Sequence, residues 1–436
     1  MHSAREIITV HVGGIGNNLG SVYWDMVSRE HGMSSRRPFE LECGQAGDPS
    51  VLFDESKSGS RTPRVISCDL QGGDCGQASK SSVFSKRLDS SQRIVSDEGS
   101  GNCYARSFHH TGPAIVHKAM DLVRRQLERC DSLQALQFFH STTGGTGSGL
   151  TGLLMTSLRE YVGSKSVFCS ASFVPSPSFS DIVLETYNTV LSLQDLAEHC
   201  DMSLLFDADA CTLKKAAECV AGLSSSLRIP GVLNADLRKI HTNLVPFKNA
   251  HFLLSSHVAC GDKHLPDVCF EALSKEQVCL SVNPQIEGQT RYLATLLAFR
   301  GASIKPSEVD GITTSLQRDK SRFDPFFPDW VPNSVCTSIS GGSVSALTTV
   351  TNSTAVRQFL DRTVSHFTKQ FKAKSHVYVY EESGLHAEEM LEAKCIVEYI
   401  SDQYREYSGF DDKITRNPRV PLTDDQNRIL SELSHL

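Results

Sequence analysis

The stretch Ser141-Thr142-Thr143-Gly144-Gly145-Thr146-Gly147-Ser148-Gly149 restricts this chain more than any other. It follows an apolar run, Ala135 to Phe139, that reads as a buried strand. It opens onto Leu150, Leu153, Leu154, Leu158 and Tyr161, which recur at helical spacing. A strand, a glycine-rich loop and a helix N-terminus together make a place to hold phosphate. Glycines let backbone N–H groups converge, hydroxyls add donors, and the helix dipole favours an anion. The plain alternative is an ordinary Gly/Ser/Thr turn, but the flanking strand and helix are what a phosphate site requires.

The surrounding chain repeats the pattern. Ile7 to Val12 reads as a strand, followed by a glycine loop from Gly13 to Gly20 and a helix carrying Val22, Trp24, Met26 and Val27. The spacing Gly14-x-Gly16-x-x-x-Gly20 is one residue longer than the dinucleotide fingerprint. Residues 33–62 read as a polar surface loop, Arg64 to Asp69 as a strand ending in a carboxylate, and residues 71–101 as a polar stretch ending in the small-residue loop Glu98 to Asn102. A helix over Gly112–Asp131, a strand over Ser166–Phe173, a proline turn at 174–178, a helix over 181–199 and a strand over Ser203–Asp207 follow. This β-α-β-α order predicts a doubly wound parallel sheet in an α/β nucleotide-binding domain over residues 1–210.

A long helix over 211–228 and the turn that follows form a connecting element over 211–240. Strands at Ala250–Ser255, Tyr292–Phe299, Ala346–Thr351 and His376–Tyr380 alternate with helices near 267–280, 306–320 and 353–372. That pattern predicts an α+β intermediate domain over 241–360. The C-terminal region, 361–436, carries an amphipathic helix from Ser383 to about Tyr407 through Leu391, Cys395, Ile396, Ile400 and Tyr404, then a polar tail.

Composition narrows the ligand. With 436 residues, a net charge of −7 and no dense Lys/Arg run, the chain lacks a nucleic-acid footprint. No apolar segment is long enough to span a bilayer, so membrane insertion is not expected, and no signal-peptide core precedes the first strand. The 14 cysteines are scattered, with no C-x-x-C pair, and read as reduced thiols of a cytosolic protein. The 16 histidines, including His109-His110, show no metal spacing. No Gly-Lys-Ser/Thr phosphate loop occurs, so two ligand classes fit: a nucleotide whose phosphates rest on the Gly144–Gly149 amides, or a dinucleotide on the Gly13–Gly20 loop. The second expects an acidic residue about 20 residues on, and Asp69 is too distant.

Thr143-Gly144-Gly145-Thr146-Gly147-Ser148-Gly149 resembles the signature loop of the tubulin family, GGGTGSG. The similarity runs through Arg5-Glu6-Ile7, Gly16-Asn17, Trp24, Glu30-His31-Gly32, Val174 to Pro177, Ser180-Asp181, Tyr187-Asn188 and Leu191-Ser192. It continues through Pro230 to Lys239, Trp330 to Asn333 and Asn352 to Ala355. The resemblance implies a GTP-binding domain and head-to-tail assembly with other tubulins, the nucleotide being buried between subunits as GTP or GDP. It implies that Ser141, Gly144, Gly145, Thr146 and Gly147 hold phosphates, that Ser100, Gly101 and Asn102 close over the terminal phosphate, and that Asp181 and Glu185 face the ribose. Gly14, Ile15 and Asn18 would line the nucleotide, and Mg2+ would lie near Asp69 and Gln71.

The chain also departs from the family. Gly14 stands where the family has Gln, Gln71 where it has an acid, and Ala208 where it has a base-reading Asn. The segment from Asp207 to Leu227 is short, with Leu213 nearest a second base-reading Asn. Lost polar contacts to a base cost affinity and selectivity. Lys239, as in β-type chains, stands where α-type chains carry a catalytic Glu, and a cation is no general base at neutral pH. The segment at 254–272 is shorter than a lattice tubulin's lateral loop, and no glutamate-rich tail follows. These departures suit a minor tubulin of the delta, epsilon or zeta kind, with zeta favoured, in the cytoplasmic cytoskeleton at centrosomes or basal bodies. Its partners would be microtubules or centriolar and basal-body proteins. The alternative is a tubulin-like scaffold with weak or no nucleotide binding and no hydrolysis.

Overall fold

The computed structural model describes residues 5–32, 47–55, 61–70, 84, 88–178, 182–229, 231–232, 236–261, 263–286, 288–301, 304–318, 326–328, 331, 334–342 and 345–409. Gln71, Asp181, the turn at 233–235 and the tail at 411–436 lie outside the described residues.

The strands are β1 Glu6–Val12, β2 Phe53–Glu55, β3 Arg61–Pro63, β4 Val65–Asp69, β5 Arg93–Val95, β6 Leu133–Ser141, β7 Val167–Val174 and β8 Met202–Asp207. After them come β9 Gly231–Val232, β10 Phe252–Ala259, β11 Tyr292–Arg300, β12 Val335–Ser340 and β13 Ala346–Ser353. The helices are α1 Gly13–Glu30, α2 Gly112–Leu127, α3 Thr151–Val162, α4 Glu185–His199, α5 Leu213–Leu223 and α6 Leu237–Leu244. They continue with α7 Leu265–Ala272, α8 Pro306–Arg318, α9 Arg357–Lys372, α10 Val377–Glu382 and α11 Ala387–Ser408.

One 11-stranded sheet runs β5-β4-β1-β6-β7-β8-β10-β13-β11-β12-β9. Every pairing from β5 to β10 is parallel. The antiparallel β10–β13 and β13–β11 pairings then reverse the direction. Parallel strands buried on both faces need helices on both sides. On one face Ile8, Val10, Leu136 and Phe138 meet Leu154 and Leu158 of α3, Tyr187 and Leu191 of α4, and Phe359, Ile396 and Ile400 of the C-terminal helices. On the other, Ile7, Ala135 and Phe139 meet Leu19 and Trp24 of α1, Val220 of α5 and Ile240 of α6. The alternation along each strand divides these two cores. The fold is therefore the doubly wound α/β architecture expected from the β-α-β-α order.

Several local expectations change. There is no loop between β1 and α1, because the helix starts at Gly13 directly after Val12. The helix expected over 211–228 breaks at Ser224, where Ser224 and Ser225 hydroxyls donate to the carbonyls of Ala221 and Gly222. The helix expected near 267–280 ends at Ala272, and Val278 instead bridges to Ser256 of β10. Residues expected as loops carry the β2–β3 pair and β5, and β12 was not anticipated. Tyr161, expected on the buried stripe of α3, is 53% exposed. Likewise Leu391 lies on the exposed side of α11, whose buried residues are Met390, Ala393, Ile396, Val397, Ile400 and Tyr404.

Candidate functional site

The carboxyl ends of β1, β4, β6 and β7 meet at one edge of the sheet, where β1 lies between β4 and β6. Chain order reverses there, and such a switch point opens a crevice for a ligand. The loop after β6 leads into a wide helical turn, Thr146–Leu150, that continues as α3, so the amides of a helix N-terminus face the crevice.

The glycines of this loop do different jobs. A Cβ on Gly145 would stand 2.6 Å from the Cys103 nitrogen and 2.7 Å from both the Cys103 carbonyl oxygen and Ser100 Oγ. One on Gly147 would stand 2.5 Å from the Ser141 carbonyl oxygen. Gly144 has nothing within 4 Å and opens to the crevice. The hydroxyls divide in the same way. Ser141 Oγ bonds Thr143 Oγ1 at 2.7 Å and donates to the Phe173 carbonyl at 3.2 Å, and Ser148 Oγ donates to the Gly144 carbonyl at 2.7 Å. Thr146 Oγ1 meets Ser100 Oγ at 3.2 Å. Beneath the loop, buried His140 contacts the Gly147 carbonyl at 3.0 Å and Ser172 Oγ at 2.8 Å, with its pKa lowered to about 4 by desolvation.

Ser100, Gly101 and Asn102 border the loop. Ser100 is buried; Gly101 (φ 58°) and Asn102 (φ 56°) turn left-handed at the exposed rim, a conformation that glycine and asparagine tolerate best. One residue fastens the two loops together. Asn188, fully buried on the first turn of α4, donates to the carbonyls of Asn102 at 2.8 Å and Thr143 at 2.9 Å. Its Oδ1 accepts from the Tyr104 amide at 2.9 Å and the Tyr380 hydroxyl at 2.6 Å. Its signal in the sequence is a polar residue on the apolar stripe formed by Tyr187, Val190 and Leu191. Glu185 begins the same helix, half-buried near the crevice.

On the other side, Gly13 (φ 73°) sits against the Gly147 nitrogen, 3.2 Å from where its Cβ would be. Gly16 and Gly20 are packing glycines. Their Cβ positions fall 2.1 Å from the Phe139 carbonyl oxygen and 2.1 Å from the His11 ring. Gly14 and Asn18 are half-buried, and Ile15 is 39% exposed. Asn17 ties α1 to β4 through Ser67 Oγ at 2.5 Å and the Cys68 carbonyl at 3.4 Å. Asp69 is buried at the end of β4. No cluster of three or more potential metal-binding side chains occurs among the described residues. One buried carboxylate still fits magnesium, which is commonly held by one or two carboxylates with the rest of its shell from phosphates and water.

Past β8, the groups beside Ala208 are occupied. The Ala208 amide donates to Ser176 Oγ at 3.1 Å, and Ser178 bonds Asp209 through both its amide and its hydroxyl. Asp207 accepts from the amides of Ala210 at 2.7 Å and Ser281 at 2.6 Å.

Comparison with known proteins identifies the family. The model of the Tubulin/FtsZ family GTPase domain matches residues 6–212. The chain is 31% identical over 434 residues to the tubulin beta chain of Saccharomyces cerevisiae, spanning 92% of this chain and 93% of that one. It is 30% identical over 456 residues to the tubulin beta chain of Candida albicans, spanning 96% and 99%. Against the tubulin beta-2 chain of Suillus bovinus it is 29% identical over 437 residues, spanning 93% and 96%.

Proposed function

Because the chain belongs to the tubulin family, we propose that it is a specialised GTP-binding cytoskeletal subunit of basal bodies, centrioles or microtubule-associated structures, holding GTP or GDP for structure more than for turnover. The observation that carries this reading is the cradle itself. Gly144 lies open at a helix N-terminus, while Gly145 and Gly147 are packed so closely that the loop cannot relax away. In this reading the amides from Gly144 to Gly147 and Thr146 Oγ1 hold the phosphates, and Ser100, Gly101 and Asn102 border the terminal one. Asp69 helps hold a magnesium ion, which would offset phosphate charge, and Glu185 faces the ribose. Gly14, Ile15 and Asn18 form the opposite wall.

Failure to trigger hydrolysis on a neighbour and a minor-tubulin class rest on the departures. Lys239 is exposed on α6, whose buried side is Leu237, Ile240 and Leu244, so the surface it offers a neighbour presents a cation where hydrolysis needs a base. Ala208 offers no side chain to read a base. The expected partners are other tubulins, head to tail, and centriolar or basal-body proteins, in a delta, epsilon or zeta setting with zeta favoured. Imaging the tagged chain in ciliated cells tests the location. Signal concentrated at centrioles and basal bodies is expected; uniform incorporation along cytoplasmic microtubules would overturn this assignment.

A further inference from the structure

At the end of β8, three cysteines from two stretches of the chain converge in the core. Cys219 Sγ on α5 lies 3.7 Å from Cys279 Sγ, and Cys211, just before α5, lies beside the pair, its thiol donating to the Thr212 carbonyl at 3.3 Å. All three are buried and unbridged. Cys279 sits at a junction: its amide donates to the Ser255 carbonyl of β10 at 2.9 Å, and its carbonyl accepts from the Asp207 amide of β8 at 3.1 Å. Two residues on, Ser281 donates to the Asp207 carboxylate. The segment around Cys279 therefore closes the end of β8, and α5 covers it.

The cluster also separates the roles of its members. The Cys211 and Cys219 thiols beside it, with the Lys215 ammonium nearby, hold the Cys279 thiol well below its usual proton affinity. Burial and the shared contact raise that of Cys219. Lys215 is fixed beside the cluster by its hydrogen bond to Gln277 at 3.1 Å. The thiolate is the nucleophile in thiol oxidation, so Cys279 is the sulfur that attacks and Cys219 the one that resolves.

We propose that Cys219 and Cys279 are a peroxide-driven disulfide site that staples α5 to the segment closing the end of β8. The Cys279 thiolate attacks one peroxide oxygen, breaking the O–O bond, and becomes a sulfenic acid as hydroxide leaves. Cys219 sulfur then attacks the sulfenic sulfur; its proton and the departing hydroxide form water. The sum is two thiols and one hydrogen peroxide giving one disulfide and two waters. The sulfurs must close to roughly 2.05 Å. The bond would enclose the whole of β10 and α7 and fix the seam where the parallel strands meet the antiparallel ones.

The test uses the reduced full-length chain in native buffer with a few equivalents of hydrogen peroxide, quenched by alkylation in denaturant and mapped by peptide mass spectrometry. The expected result is one Cys219–Cys279 linked peptide and the loss of two thiols per chain from that pair, reversed by dithiothreitol and absent in Cys219→Ser. Cys219→Ala serves as a second variant, and wild-type mapping decides the matter even if both fold poorly. Persistence of both thiols while half-buried Cys130, Cys336 or Cys395 oxidises would overturn the proposal, as would a Cys211–Cys279 link in its place.

Discussion

Gly16 and Gly144 both belong to glycine-rich stretches, yet a methyl group would find opposite surroundings at each. At Gly16 it would collide with the Phe139 carbonyl oxygen, so Gly16→Ala must push α1 off β6 and is expected to cost about 3 kcal/mol in chemical denaturation. At Gly144 nothing stands in the way, so Gly144→Ala should keep stability within about 1 kcal/mol. The same methyl would crowd a phosphate on the loop and weaken nucleotide retention roughly tenfold, about 1.4 kcal/mol, read by titration. The reverse pattern would remove the distinction between packing and ligand glycines. Sequence spacing marks both stretches as phosphate loops, but only neighbours from β6 and β1 reveal that Gly16 and Gly20 admit strands instead. Asn188 is marked in the sequence only as a polar residue on an apolar stripe; its four hydrogen bonds reach residues from 45 to 192 positions away, so its partners show only in the fold.

Among the elements, α10 shows how context overrides pattern. Val377-Tyr378-Val379-Tyr380 alternates like a strand, yet it forms a helix that buries Val377 and Tyr380 and leaves Tyr378 58% exposed. The Tyr380 hydroxyl bond to Asn188 and the Tyr187 hydroxyl bond to the Ser375 carbonyl fix that choice. The parallel strands were legible because burial on both faces writes continuous apolar runs. Short pairs such as β2–β3 and β9–β12 were not, since their partners set them. At the far end of α1, Glu30 pairs with Arg228 at 2.5 Å and with Arg300 of β11, joining α1, the short helix Ser225–Arg228 after α5 and the second half of the sheet. Burial alone would raise the Glu30 pKa, but Arg228 and Arg300 hold it below its ordinary value. Glu30→Gln leaves the fully buried Arg228 short of a counter-charge and is expected to cost about 3–5 kcal/mol. A loss below about 1 kcal/mol in a denaturant titration would show that the triad does not hold this seam.

Across the whole molecule, burial sets how stability follows pH. Desolvation lowers His11 to about 3 and His31, His140, His251 and His257 to about 4. Below pH 6.5 the unfolded chain gains protons that the native state refuses. Stability therefore falls as pH drops from about 6.5 toward 4, by up to roughly 1.4 kcal/mol per pH unit for each imidazole. Asp195, raised to about 8 by desolvation between α3 and α4, works in the opposite sense, because its native proton is held more tightly than the unfolded one. Five imidazoles outweigh it, so denaturation midpoints should fall steadily on acidification; a flat profile from pH 6.5 to 4 would contradict the burial of these rings. At the crevice, the proposal is that the chain keeps a phosphate grip while the features for base reading and for triggering a neighbour's hydrolysis are reduced. Its most direct measurement is the nucleotide that the natively purified chain carries, released by denaturation, identified by chromatography and counted per chain. Close to one GTP or GDP per chain, retained without turnover, is the predicted result; an empty, stably folded chain would contradict it.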